Sequence, residues 1–67
     1  MFPALRAEMA RENVRVADLA AAVGVRPATM SLKMNRKFPF TLEEAILIKA
    51  RLRTGIPIED LFVWEER

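Results

Sequence analysis

Apolar side chains recur with a helical period through most of this chain, and short breaks divide them into segments. Leu5 and Met9 lie four residues apart behind Pro3. A proline suits the first turn of a helix because its missing N–H would have no helical partner there. Asn13 tolerates the left-handed backbone that often ends a helix. The pattern therefore predicts a first helix from Pro3 to just before Asn13.

Two shorter helices are predicted next, with one glycine between them. The earlier helix covers about 16–23, and its apolar stripe is Leu19, Ala20 and Val23. Gly24 then turns the chain, since glycine adopts positive φ without strain. The later helix begins at Pro27, runs to about Asn35, and buries Met30 and Met34 on one face.

A capping box predicts the start of a fourth helix. The Thr41 hydroxyl can accept the backbone N–H of Glu44, while the Glu44 carboxylate reaches back to the Thr41 N–H. The apolar stripe predicted for this helix is Leu42, Ala45, Ile46 and Lys49, widened by Ile48 and Leu52. Thr54 and Gly55 end it. Pro57 opens a short last helix whose inward side chains are Ile58, Leu61 and Phe62. The prediction is an all-α, five-helix bundle.

Composition limits the chemistry that such a bundle can hold. A chain of 67 residues makes one domain, 1–67, and 52% hydrophobic residues suffice for a core. Without cysteine or histidine, disulfides, zinc sites and thiol or imidazole catalysis are excluded. We therefore expect no cofactor, no metal, no small-molecule substrate and no enzymatic activity. Adjacent carboxylate pairs such as Glu59 and Asp60 lack the pocket that general acid–base catalysis needs.

Neither membrane insertion nor secretion is expected. The longest apolar stretch, Leu19 to Val25, is far shorter than the ~20 residues of a membrane helix. Arg6 and Glu8 stand where a signal peptide would need its apolar run. We expect a soluble protein of the cytoplasm.

The net charge of +2 conceals an uneven distribution. Residues 1–25 are balanced, residues 26–53 carry a net +5, and residues 54–67 carry a net −3. No acidic residue lies between Asp18 and Glu43. Such local clustering favours phosphate binding, although an ordinary solvated surface explains the charge equally well.

The segment 16–35 has the features of a helix-turn-helix. This motif needs a small residue where its two helices cross, which Ala20 supplies, and a glycine at the turn, which Gly24 supplies. A helical wheel that places Met30 on the buried side predicts which face of the motif's second helix, about 27–35, is exposed. That face is Ala28, Ser31, Leu32 and Asn35. Leu32 could pack on a thymine methyl. It is equally explained as an ordinary exposed leucine or as a contact with another protein.

The order of these segments resembles a known family. The runs VADLAAAVGVRPATMSLKMNRK, FTLEEAILIKARL and IPIEDLF are similar to helix-turn-helix regulators of the Cro and lambda-repressor type. The short phage-type repressors of bacteria, in which an SLK-x-N pattern precedes FTLEEA, are especially similar. The resemblance implies a bacterial or phage-encoded transcription regulator that binds operator DNA, usually as a homodimer, with its third helix in the major groove.

By this resemblance, Asn35, Arg36 and Lys37 form the loop that contacts the phosphate backbone, which positions the protein and makes binding salt-dependent. The alternative is that one or two of them only cap the helix. The predicted DNA-binding residues are Arg26, Ala28, Thr29, Ser31, Leu32, Lys33, Asn35, Arg36 and Lys37.

Four positions depart from the family pattern. Val16 replaces a polar residue that often touches DNA, and Arg26 replaces the usual serine or threonine cap. Arg36 replaces a glycine, so it must adopt a costly left-handed backbone or redirect the loop. Lys33 stands where relatives bury an apolar residue, and its aliphatic stem can cover the core. These departures leave open the alternative that this chain is a relative of the family that has altered or lost DNA binding. In that alternative it is a protein-interaction module on the same fold.

The acidic, aromatic tail is expected to lie away from DNA. Phe62 closes the core, while Val63 and Trp64 either complete it or form a two-fold dimer contact. A dimer is attractive because one recognition helix reads only about five base pairs, too few to select one site among ~10⁶ competitors.

Overall fold

Five α-helices and their connections make up the structure, a computed structural model that describes residues 1–66. The helices are α1 Pro3–Arg11, α2 Val16–Val23, α3 Pro27–Met34, α4 Leu42–Leu52 and α5 Ile58–Leu61. The described residues contain no β-strand. The prediction of an all-α fold is confirmed, and the breaks fall close to the predicted residues.

Left-handed residues end four of the five helices. Asn13 after α1 has φ +53°, and Gly24 after α2 has φ +87°. Arg36 and Arg53 follow α3 and α4 with φ +61° and +54°. This conformation turns the backbone back so that a later N–H reaches a carbonyl of the last turn. Asn13 and Gly24 act as predicted, and Arg36 adopts the costly alternative that the sequence left open.

The core takes fully buried side chains from every helix. Leu5, Leu19, Met30, Ile48 and Leu61 each have 0% exposure and come from α1 to α5 in turn. Met9, Ala20 and Met34 are also buried, as their spacing predicted, and Val23 packs against the core while half-buried. A single apolar cluster therefore holds all five helices together.

The predicted apolar stripe of α4 needs correction. The buried residues of this helix are Ala45, Ile48 and Leu52, whereas Leu42 is 69% exposed and Ile46 50% exposed. Helix α4 packs against α2 and α5, and a helix can turn only one face toward its neighbours. The apolar residues of α4 surround most of its circumference, so periodicity alone did not identify the buried face.

The capping box at the start of α4 is confirmed. The Glu44 backbone N–H donates to Thr41 Oγ1 at 3.1 Å, and the Thr41 N–H donates to Glu44 Oε1 at 2.9 Å. Both bonds satisfy N–H groups that have no partner within a helix.

Four aromatic rings close the fold where its two ends meet. Phe2 packs edge-to-face against Phe40, Phe62 and Trp64, with ring centroids 5.7, 6.0 and 5.1 Å away. The Glu65 N–H also donates to the Met1 carbonyl oxygen at 2.8 Å. The predicted role of Phe62 agrees with this packing, whereas Phe2 was not among the predicted core residues.

The described residues form one globule of 26 × 25 × 21 Å with a radius of gyration of 10.6 Å. A compact chain of this length is expected at about 11 Å. Within residues 1–66, no helix has both the length and the apolar content that crossing a bilayer requires.

Candidate nucleic-acid interface

Helices α2 and α3 pack against each other, and the chain turns between them at Gly24, which ends α2. Ala20 is 1% exposed, and its carbonyl oxygen accepts the N–H groups of Gly24 at 2.8 Å and Val25 at 3.0 Å. A Cβ at Gly24 would meet no atom within 4 Å, so the positive φ, not the available space, favours glycine there. The turn between the helices is therefore set by the backbone conformation of one residue.

One face of α3 is left open to solvent. Met30 and Met34 are buried, while the outward residues are Ala28, Ser31, Leu32 and Asn35, all exposed. Leu32 is 40% exposed, which is high for a large apolar side chain. The structure thus confirms the predicted outward face and brings its four residues together. Thr29, which was predicted to bind DNA but not to lie on this outward face, is half-buried.

Polar groups on this face are available for hydrogen bonding. The Asn35 side-chain amide donates to the Ser31 carbonyl oxygen at 3.0 Å, which holds the amide at the end of the helix. Within the described residues, the Asn35 side-chain oxygen accepts no hydrogen bond. The Ser31 hydroxyl is likewise exposed. Both side chains can therefore donate to or accept from a ligand at this face.

Cations lie at both ends of the α3 face. Arg26 is the exposed residue before the first turn, and no side-chain hydrogen bond caps the helix there. Arg36 and Lys37 follow the last turn and are also exposed. We call Arg26, Arg36 and Lys37 the flanking cations. No acidic residue lies between positions 19 and 42 of the sequence, the segment that contains all three.

Lys33 does not belong to this surface, contrary to its predicted place among the DNA-binding residues. It is buried, and its Nζ donates to Glu44 Oε1 and to the Pro39 carbonyl oxygen, each at 3.0 Å. Thr41 and, more weakly, Lys33 hold the pKa of the Glu44 carboxyl below its ordinary value, against the opposing effect of burial. Lys33 therefore ties α3 to α4, and its aliphatic stem covers the core as the sequence allowed.

Arg36 is positioned by the C-terminal tail. Its guanidinium carbon lies 5.4 Å from the centre of the Trp64 ring, within the range of a cation–π interaction. Trp64 itself packs on Phe2 and donates from Nε1 to Glu66 Oε1 at 3.0 Å. The tail therefore lies next to the loop that follows α3, and its expected position away from DNA stays a prediction. Trp64 packs against the core, which is one of the two alternatives predicted for it. It also supports Arg36, one of the flanking cations.

Sequence analysis missed Arg6, which lies beside the same end of α3. Arg6 lines an open groove together with Met1, Asn35, Trp64 and Glu66. Arg6 is exposed and adds a fourth cation near the loop, in the groove that the acidic Glu66 also lines. Only the packing of the chain ends brings α1 to this place, so no local pattern could have identified it. Val63, the other predicted dimer residue, is 45% exposed in the tail.

Val16, one of the departures from the family pattern, packs partly buried against the core at the start of α2. An apolar residue at that position is thus explained by packing.

No family model matches this chain, and neither a curated protein nor a solved structure matches it. Among residues 1–66, no three acidic side chains come together as a metal site.

Proposed function

We propose that this chain is a sequence-specific regulator that binds double-stranded DNA, a repressor of the phage type, and not an enzyme. In this proposal α2, the Gly24 turn and α3 form a helix-turn-helix, and α3 enters the major groove. The observation that carries the proposal is the solvent-exposed face of α3 with flanking cations at both of its ends.

The dimensions and chemistry of α3 suit a major groove. Eight residues give a helix about 12 Å long, comparable to a groove about 12 Å wide. Ser31 and Asn35 would hydrogen-bond base edges, and Leu32 would pack on a thymine methyl. Ala28 adds no bulk that would prevent close approach.

The flanking cations would contact phosphates on either side of the groove. Phosphate contacts orient a protein on DNA and release counterions, so they add affinity without sequence preference. Arg36 is held on the Trp64 ring before any ligand arrives. A side chain that is already positioned loses less conformational entropy on binding, which strengthens its contact.

Two copies would bind one operator. A single α3 offers discrimination of ~1–3 kcal/mol at each of a few base pairs, which is insufficient against ~10⁶ competing sites. Two copies that span half-sites one helical turn apart would double the number of base pairs read. The expected operator is therefore a two-fold symmetric sequence.

Selection of bound duplexes from random DNA, followed by titration of the selected duplex at several salt concentrations, tests the proposal. Each phosphate contact adds about −0.9 to the slope of log affinity against log salt. Arg36→Ala should reduce the magnitude of this slope by about 1 per bound chain. Arg11→Ala removes an equal charge whose guanidinium is held by Glu8 and Glu12, and it should leave the slope unchanged.

Selected sites with two-fold symmetry would support both the function and the second copy. A total lack of duplex binding at low salt would contradict the proposal. That outcome would favour the protein-interaction module on the same fold.

A further inference from the structure

The outer face of α4 exposes several large apolar side chains next to one another. Leu42, Ile46 and Leu47 are 69%, 50% and 45% exposed, and Glu43, Ile46 and Leu47 line a shallow apolar groove. Single exposed apolar residues are ordinary, but a contiguous group marks an interaction surface. We call this surface the α4 face; its residues are Leu42, Glu43, Ile46, Leu47, Ala50 and Arg51.

Two opposite charges are placed symmetrically on the α4 face. Glu43 and Arg51 lie four residues before and after Leu47, so the three side chains form one row along the helix. At a rise of about 1.5 Å per residue, each charge is about 6 Å along the axis from Leu47. Within residues 1–66, neither charged side chain takes part in a salt bridge or hydrogen bond.

This row is complementary to its own reversed copy. On a helix surface, residues spaced four apart form ridges with grooves between them. When the ridges of two packed helices are aligned, a ridge of one helix lies in a groove of the other. A two-fold axis at Leu47 runs the two rows antiparallel and sets Glu43 of each copy opposite Arg51 of the other. The apolar groove between Leu47 and Ile46 then receives the partner row.

We infer that the α4 face binds a second copy of this chain as an antiparallel, two-fold dimer. The self-complementary charges identify the occupant, because an unrelated partner would require no such symmetry. The choice also rests in part on the proposed function, since two-fold operator binding needs a second copy. The dimer contact is thereby assigned to α4 and not to Val63 and Trp64.

The dimer is weak in solution and strengthened on DNA. A standard interface takes about 800 Å² from each partner, a large share of the 4451 Å² surface of this molecule. One helix of 11 residues supplies less than that area. Adjacent half-sites would hold two copies at high effective concentration, so a small interface suffices for cooperative binding.

Sedimentation equilibrium without DNA, at protein concentrations up to about 1 mM, measures this association directly. The full chain is expected to dimerise reversibly. Leu47→Glu should weaken dimerisation at least about tenfold by placing two carboxylates at the axis. Val63→Glu changes a side chain of equal exposure, 45%, and should leave dimerisation unchanged. Circular dichroism confirms that each variant is folded.

Charge reversal tests the two-fold arrangement itself. Glu43→Arg and Arg51→Glu each turn two attractions into two repulsions and should weaken the dimer about tenfold. The double variant restores opposite charges across the axis and should dimerise within about threefold of the original chain.

A chain that stays monomeric at every concentration would overturn the inference. A double variant that dimerises as weakly as the two single variants would also overturn it. Sensitivity to Val63→Glu together with insensitivity to Leu47→Glu would overturn it in favour of the tail. Because the measurement contains no DNA, these failures are distinct from a failure of DNA binding.

Discussion

Lys33 and Arg36 are neighbouring cations at the end of α3 that meet very different surroundings. The Lys33 ammonium is enclosed by the Glu44 carboxylate and the Pro39 carbonyl oxygen, while the Arg36 guanidinium lies exposed over Trp64. Residue type and charge clustering do not separate these two cases. Their partners come from segments six to 28 residues further along the chain, and only packing brings them together.

The Lys33–Glu44 pair gives the first prediction, at pH 7. Glu44→Gln removes the charge that binds both the Lys33 ammonium and the Thr41 N–H, and should reduce the free energy of unfolding by about 1–2 kcal/mol. Glu43→Gln is the control, because its carboxylate has no hydrogen bond within residues 1–66. It should cost only a few tenths of a kcal/mol. Urea denaturation measures both values, and equal losses would contradict the assigned role.

Acidification should remove the same contribution. The pKa of Glu44 is lowered in the folded chain, so the unfolded chain takes up the proton first as the pH falls. The stabilisation by the Glu44 carboxylate is therefore complete above about pH 5. It is lost as the pH falls through the lowered pKa that Glu44 has in the folded chain. The difference between the original chain and Glu44→Gln should be constant near neutrality and shrink below about pH 4. If the difference in the free energy of unfolding between the two chains grew as the pH fell, the prediction would be contradicted.

At the scale of the elements, helix ends were more predictable than helix faces. Asn13, Gly24 and the capping box at Thr41 act through bonds to residues a few positions away, so the local sequence contains the whole cause. The buried face of α4 depends instead on where α2 and α5 lie. An apolar pattern that surrounds the helix is compatible with several faces, and the tertiary packing selects one.

Arg53 gives a prediction at this scale. It follows α4 with φ +54°, where a Cβ is strained and glycine is not. Arg53→Gly should raise the free energy of unfolding by about 0.5–1 kcal/mol, the strain relief being reduced by the greater freedom of glycine in the unfolded chain. Ala7→Gly, an exposed position inside α1, should lower it by about 1 kcal/mol. Thermal denaturation distinguishes the two, and destabilisation by both would show that Arg53 contributes more than backbone strain.

At the scale of the whole molecule, the aromatic cluster joins segments that are far apart in sequence. Phe2 precedes α1, Phe40 precedes α4, and Phe62 and Trp64 follow α5. These rings connect both ends of the described chain to the loop after α3. The cluster thus couples the stability of the fold to the position of Arg36 through Trp64.

Phe2→Ala should therefore destabilise the whole molecule. Removing a buried phenylalanine costs about 3–5 kcal/mol, which is a large part of the roughly 3–10 kcal/mol expected for a chain of this size. Phe38→Ala removes the same side chain from a position that is 49% exposed and should cost less than about 1 kcal/mol. Urea denaturation followed by circular dichroism and by Trp64 fluorescence should give coincident transitions. Separate transitions would show that the cluster unfolds independently of the helices.

The sequence by itself determined the five helices, their ends and the outward face of α3, because each depends on spacing and capping within a few residues. Only the tertiary structure decided that Lys33 is internal, that Arg36 lies on Trp64, and that α4 turns Ile46 and Leu47 to solvent. The physical reason is the range of the interactions. Backbone hydrogen bonds within a helix are local, whereas ion pairs, ring contacts and buried faces depend on which distant segments pack together.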